Sequence, residues 1–431
     1  MPKERDVRDA GEGEVRIVEA ERQQVELRVF HLDGAIPADH PVRALWAFVE
    51  GVDLSGLYEG MGSLEGRAGR PAIDRKILLA LWLYGTIEGV GSARALDRLS
   101  KEHLVYQWIC GGVGVNYHTL ADFRVLHGEA MDELLTQSVA SLMNEGLVEL
   151  KRVAQDGMKV RASAGASSFR KKKTLRECLK QAKEQVRELR RELEEDPGAA
   201  TRREQAARER AARERTERVK KALERARELE KEKSKKKDKD AAVRASTSDP
   251  QARVMKMGDG GWRPAYNVQL ATDTGSQIIV GVDVTNQGND QGQIEPMIDQ
   301  LQERYEVVPA ETLVDGGYTA HADLEAVAGR TTVYAPVPKP RDPGIDPHRP
   351  KKTDSPAIAE WRKRMKTARA KRIYKDRAST AECVNAQARN RGLVRVLVRG
   401  IVKVRAVALL YALAHNVKRM LSMGYLMAVP A

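Results

Sequence analysis

The sequence predicts an α/β unit, a mixed sheet flanked by helices, placed behind an all-helical N-terminal unit. Three observations lead there. Apolar residues recur at helical spacing up to about residue 147, and a strand-like run follows. After Pro250, short strand-like runs alternate with helical ones. Between these stretches, residues 171–240 are dominated by Arg, Lys, Glu and Ala and carry a heptad-like seam, so they read as an insertion.

The elements follow in order. Residues 1–26 are polar and charged and read as a flexible N-terminus without a signal peptide. Residues 27–147 read as helices. Val42, Leu45, Trp46 and Val49 share one face, and a Gly-rich loop spans 51–69. Pro71 opens a strong helix bearing Ile77, Leu78, Leu81, Trp82 and Tyr84. Short helices at 92–100, 102–110 and 117–127 come next, the last with Leu120, Phe123 and Leu126 turned inward. Short helix, turn and short helix is the arrangement of a helix-turn-helix unit, and equally of a small helical bundle with no DNA to bind. A longer amphipathic helix closes this part.

Residues 148–425 read as the catalytic unit. A strand over 148–153 runs to Asp156-Gly157. In the insertion, Leu175, Leu179, Ala182, Val186, Leu189 and Leu193 alternate by four and three residues. Asp196-Pro197-Gly198 is a turn, and Val219, Ala222, Ala226 and Leu229 form the seam of a returning helix, which makes an antiparallel hairpin. Strands at 266–271 and 278–284, a helix at 291–305, a strand at 312–314, a helix at 320–328 and a strand at 332–337 complete the alternation. A Pro-rich loop over 338–356 leads to helices at 357–390 and 401–423. Without the insertion this is the element order of an RNase H-like domain.

Charge narrows the partner. The formal net charge is +13, held in two blocks: residues 171–240 carry 26 Lys/Arg against 17 Asp/Glu, and residues 351–400 carry 15 against 4. A focused positive field suits a polyanion, nucleic acid being the commonest. Cys110, Cys178 and Cys383 are scattered, so neither a disulfide framework nor a zinc site is expected and a reducing, cytoplasmic setting is. The longest apolar run, 406–414, is too short to span a membrane.

Three acids stand out: Asp156 after the first strand, Asp315 after the fourth, and Glu382 on the helix beyond the last. In an RNase H-like order the first and fourth strands are neighbours, so these acids converge. Clustered carboxylates need a cation, and hard oxygen donors suit Mg²⁺ or Mn²⁺, with two ions serving an in-line phosphoryl displacement. Each Asp-Gly pair taken alone reads equally well as a turn. Asp249 and Arg253 are read as either supports of the site or a surface turn. Trp262 is read as a core residue in preference to a base-stacking one, and His415 and Asn416 as core or capping residues.

The segment YKDRASTAECVNAQAR holds Tyr374, Arg377, Glu382 and Arg389. It resembles the Tyr-Arg-Glu-Lys/Arg signature of DDE transposases of bacterial insertion sequences, closest to the eleven-eighty-two type. The pattern here is Y-x2-R-x4-E-x6-R, whereas the common form has three residues between Arg and Glu and often ends in Lys. DGMKVRAS, STSDPQAR, YNVQLATD, LVDGGY and the N-terminal GRPAIDRKILLALWLYG resemble further blocks of the family. The resemblance implies cleavage at terminal inverted repeats and strand transfer into target DNA. It implies Asp156, Asp315 and Glu382 as catalytic metal ligands, and Tyr374, Arg377 and Arg389 as DNA contacts. A homodimer or larger oligomer on DNA is implied as well. The competing readings are an RNase H-like nuclease or resolvase, and an inactive DNA-binding protein derived from a transposase.

Overall fold

The computed structural model describes residues 30–59, 61, 71–195, 201–234 and 243–426. The expectations for residues 1–26, for the turn at 196–198 and for the Leu193 side chain fall outside this range.

The N-terminal helices are α1 (Pro41–Gly51), α2 (Ser55–Tyr58), α3 (Arg75–Ile87), α4 (Ala93–Glu102), α5 (Leu104–Cys110), α6 (Tyr117–Leu126) and α7 (Gly128–Asn144). Side-chain caps set several starts: the Asp74 carboxylate accepts from the Lys76 amide at 2.9 Å, and Asn116 accepts from Thr119 at 3.0 Å. The strong helix therefore begins at Arg75 and not at Pro71. Leu120 and Phe123 are buried as expected, but Leu126, the last residue of α6, is exposed. Arg124 turns inward in its place, its guanidinium 4.5 Å from the Trp82 ring and its Nη1 donating to Gly91 O at 2.8 Å.

The strands among the described residues are β1 (Arg152–Arg161), β2 (Phe169–Lys171), β3 (Arg244–Ser246), β4 (Arg253–Lys256), β5 (Trp262–Asp273), β6 (Ile279–Thr285), β7 (Glu311–Leu313) and β8 (Thr332–Tyr334). In the main sheet β1 is central. It pairs antiparallel with β5 on one side and parallel with β7 on the other, and β7 pairs parallel with β8. The far edge of β5 carries both β4 and β6, each antiparallel. The result is a mixed sheet flanked by helices behind a helical N-terminal region, compatible with an RNase H-like DDE domain. The expected adjacency of the strands bearing Asp156 and Asp315 is present. The expected strand over 148–153 is not: β1 starts at Arg152 and runs on through Asp156, after a left-handed Leu150 (φ 51°).

Between β1 and β5 the chain leaves through the β2–β3 ribbon into α8 (Lys172–Glu195) and returns along α9 (Arg202–Ser234). The two helices are antiparallel: Lys172 pairs with Glu230 at 2.5 Å, and Arg215 donates to Gln185 at 3.0 Å. Leu175, Ala182, Val219, Ala222 and Ala226 are buried along the seam.

Beyond β6 lie α10 (Ile294–Tyr305), α11 (His321–Ala326), α12 (Pro356–Lys366), α13 (Ala368–Arg377), α14 (Cys383–Asn390) and α15 (Ile401–Ser422). Helix α15 is apolar almost all round, which is the pattern of a fully enclosed helix, and it packs on α3, α7 and β6. One hydrophobic core thus runs from the N-terminal helices through α15 into the sheet. Three polar residues of α15 clamp it to the β5–β6 turn. Asn416 exchanges two hydrogen bonds with the Ile279 backbone, both at 2.8 Å. Arg419 donates to Ser276 O, and His415, its pKa pushed by burial down to about 4, donates through Nε2 to Gln277 O. Trp262 is 68% exposed where β5 begins, so the core role falls instead to its neighbour Tyr266, which is fully buried.

Candidate active site

Strands β1 and β7 pair only over Arg152–Ala154 and Glu311–Leu313, and β1 runs on past the end of β7. Asp156 stands at that point, inside β1 opposite Leu270, and not at a strand end. Asp315 follows β7 and caps the short turn Gly316–Tyr318, accepting from the Gly317 amide at 2.7 Å. Neither Asp-Gly pair makes a hairpin turn.

Successive residues of a strand face opposite sides of the sheet. On the Asp156 side lies the long helix α13–α14. The two helices are joined by a π-helical turn over Ala378–Glu382, the kind of one-residue insertion in an α-helix that recurs at functional sites. Arg377 and Glu382 are five residues apart, yet the π turn returns them to one face, and Arg377 Nη2 meets Glu382 Oε1 at 2.6 Å. Arg377 Nη1 also lies 3.4 Å from Asp156 Oδ2. One guanidinium therefore bridges the strand acid and the helix acid. Burial opposes its charge, but Tyr374, Asp156 and Glu382 together hold its pKa above the usual value. The Arg377 guanidinium sits 6.0 Å from the half-buried Tyr374 ring. Arg389 is exposed, two helical turns beyond Glu382 on the same helix.

The helix is fixed to the sheet at two places. Arg152 on β1 reaches Glu311 on β7 at 2.6 Å and Asp376 on α13 at 2.5 Å. Gln277, in the β5–β6 turn, donates to Ser379 O within the π turn at 2.8 Å.

Burial pushes the Asp156 carboxyl up to about 6. Arg377 counters this, while the Asp315 and Asp290 carboxylates add to it. Asn385, one turn beyond Glu382, donates to Asp156 Oδ2 at 3.1 Å. Sequence reasoning passed over Asn385, although its spacing from Glu382 puts both on one helical face. It also passed over Asp290, which lies in a Gly/Asn-rich loop. Asp249 and Arg253 do not reach the site. Asp249 accepts from Tyr266 at 2.7 Å, and Tyr266 pairs with Val160, four residues along β1 from Asp156, or roughly 13 Å.

Residues 348–421 match the family model described as Transposase DDE domain, and residues 30–126 match Transposase domain (DUF772). Both are domains of transposases, the first of the DDE type. The first covers Tyr374, Arg377, Glu382 and Arg389 but neither aspartate. No curated protein and no solved structure matches the chain. Transposases of this type generally use divalent metal ions. Among the described residues no three His, Cys, Asp or Glu side chains converge tightly enough to hold one ion between them. The donors near the end of β7 are nonetheless carboxylates, the type that a hard cation takes, and Mg²⁺ is commonly held by only one or two of them plus water and phosphate. Among the described residues no helix is long and apolar enough to cross a membrane.

Proposed function

We propose that this transposase binds the terminal inverted repeats of an insertion sequence and catalyses strand cleavage and strand transfer through Asp156, Asp315 and Glu382. The observation that supports the reading is Arg377, which lies between the β1 acid and the helix acid, while the Asp315 charge acts on Asp156. The three carboxylates are the residues that would hold divalent ions, Mg²⁺ or Mn²⁺ and two in number. Bound there, such ions activate an attacking oxygen and stabilise a leaving one in phosphoryl transfer.

The chain's own residues supply the rest. Arg377 offsets carboxylate charge in the protein alone, and its fork suits a DNA phosphate once Glu382 turns to the metal. Glu382 is 55% exposed and can make that turn. Tyr374 and Arg389 extend the contact along the same helix. Lys363, Lys366, Arg369, Lys371, Arg372 and Lys375 are exposed on α12 and α13, so the approach to Glu382 is basic. The helical region 27–147 recognises the element ends within an oligomer, the catalytic unit spans 148–425, and the hairpin inserted over 171–240 braces that assembly.

The test is cleavage of flanking inverted repeats with Mg²⁺. Wild type is expected to nick at the ends and join them to target DNA. Asp156→Asn and Glu382→Gln are expected to bind ends normally and lose at least a thousandfold in cleavage (on the order of what electrostatic groups at such centres contribute). Undiminished cleavage by Asp156→Asn rejects the assignment.

A further inference from the structure

Beyond the end of β7, residues 394–396 take up the free edge of β1. The Arg161 amide donates to Val394 O at 3.0 Å, and the Val396 amide donates to Arg161 O at 2.9 Å. Arg161 and Arg395 are the paired residues of this parallel bridge, so their side chains leave the same face of the sheet. Both are exposed. Like charges set directly opposite each other destabilise a sheet. Among the described residues neither side chain has an ion pair or hydrogen bond to offset the repulsion. The local sequence offers no acid either, since residues 383–431 contain no Asp or Glu. A local rule broken in this way is expected where a surface binds something.

The positive charge continues past this pair. Arg399 is exposed, and its Nε donates to Ser163 O at 3.3 Å, two residues beyond Arg161. Its charge also acts on the buried Asp249. Lys403, exposed in the first turn of α15, has no ion pair among the described residues. Arg399 and Lys403 line a groove of about 1330 Å³ that α6 and α9 also line. The glutamates of α9 in this groove are each neutralised by a cation of the same helix: Glu209 by Arg213, Glu214 by Arg218, Glu217 by Lys220 and Glu228 by Arg225. Arg210 and Lys221 on that wall are left unpaired, against one exposed and unpaired carboxylate, Asp122 of α6. The groove therefore carries a positive excess, as the Arg161–Arg395 pair does.

We propose that Arg161, Arg395, Arg399 and Lys403 form a phosphate track that leads duplex DNA from the edge of β1 into the groove beside α9. The assignment rests on the reading of this protein as an enzyme of DNA ends. Such contacts position a duplex and carry no sequence information. The track begins five residues along β1 from Asp156, or roughly 16 Å, and on the other face of the sheet. It thus holds DNA flanking the reacting phosphate and not that phosphate itself. The inserted hairpin becomes part of the DNA-binding surface through α9.

The test is binding of full-length protein to two duplexes of equal length, a terminal inverted repeat and a scrambled sequence, between 50 and 200 mM salt without divalent ions. Each phosphate contact contributes about 0.9 to the slope of log affinity against log salt. Arg161→Gln and Arg395→Gln are each expected to flatten that slope by about 1 and to weaken both duplexes by the same factor. The double variant is expected to flatten it by about 2 and, with the repulsion relieved, to melt no lower than wild type. An unchanged slope and affinity in the double variant overturns the track. Weakening on the inverted repeat alone overturns it too, because that is base reading. Should the double variant melt lower, Lys403→Gln decides: the slope flattens by about 1, or the track is rejected. Equal wild-type affinity for the two duplexes counts against end recognition by this protein and leaves the track to be judged on the slope.

Discussion

Arg377 and Glu382 are held on one helical face by a π turn, with Nη2 and Oε1 2.6 Å apart. In an uninterrupted α-helix each residue turns by about 100°, and a five-residue separation would splay the two side chains. The turn absorbs one residue, so the geometry is that of a three-residue spacer in a straight helix. Deleting Ser379 is therefore expected to straighten the helix, keep the ion pair and leave end cleavage within about tenfold of wild type, a small change on the scale of about 1.4 kcal/mol. Inserting one alanine after Ser379 is expected to rotate Glu382 away and abolish cleavage. Cleavage assays on both variants, with circular dichroism as a check on folding, decide this. A deletion as damaging as the insertion would reject the register argument.

Asp156 carries a pH signature. Burial raises its carboxyl from 3.8 to about 6, so the folded protein binds its proton more firmly than the unfolded chain does. The sign follows from linkage. Between pH 4 and 6 the native state holds more protons, so this group makes stability fall as pH rises, and above 6 its effect is constant. Asp156→Asn removes that slope. Without divalent ions, the variant's unfolding free energy in urea is expected to gain on wild type as pH goes from 4 to 6, by on the order of 2 kcal/mol at neutral pH. A difference between the two proteins that stays flat with pH rejects the raised pKa.

Much of this fold follows from local pattern. The seam through Leu175, Ala182, Ala222 and Ala226 and the strands around Tyr266 and Val282 are set by side-chain periodicity, which a sequence displays directly. Glu382 stands out for a different reason, through the fixed neighbours Tyr374 and Arg377. What escapes depends on non-local packing. An Asp-Gly pair in mid-strand is indistinguishable from a turn until Gln269, Asn267 and Asp290 are seen closing over Gly157. Asp290 itself, among Asn289, Gly288 and Gly292, carries every mark of a loop. Leu126 and Trp262 are apolar at element ends, where a periodic stripe continues in sequence but the core has already stopped.

Gly157→Ala tests that closure. The new methyl would sit within 2.8 Å of polar atoms of Asp290, Gln269 and Asn267, and the last two side chains both donate to Asp290 Oδ1, so Asp290 has to move. The variant is expected to lose about 1–3 kcal/mol of stability in urea unfolding, as overpacking of a tight interior does. A variant of unchanged stability would show that the space over Gly157 is open.

Asn416 joins the C-terminal helix to the sheet through a contact with no substitute. Its side-chain amide both accepts from and donates to the Ile279 backbone, at the place where the β5–β6 register shifts between Ala271 and Thr272. Asn416→Leu keeps the volume and apolar packing of α15 but strands one buried N–H and one buried C=O. Each such group costs roughly 1–3 kcal/mol, so urea unfolding is expected to show a loss of about 2–5 kcal/mol. The effect should also reach the active site. The β5–β6 turn that α15 clamps includes Gln277, whose side chain holds Ser379 O in the π turn, so loosening the turn frees the helix that carries Glu382. End cleavage by Asn416→Leu is accordingly expected to fall more than its folded fraction does. Cleavage that tracks the folded fraction would confine Asn416 to stability alone.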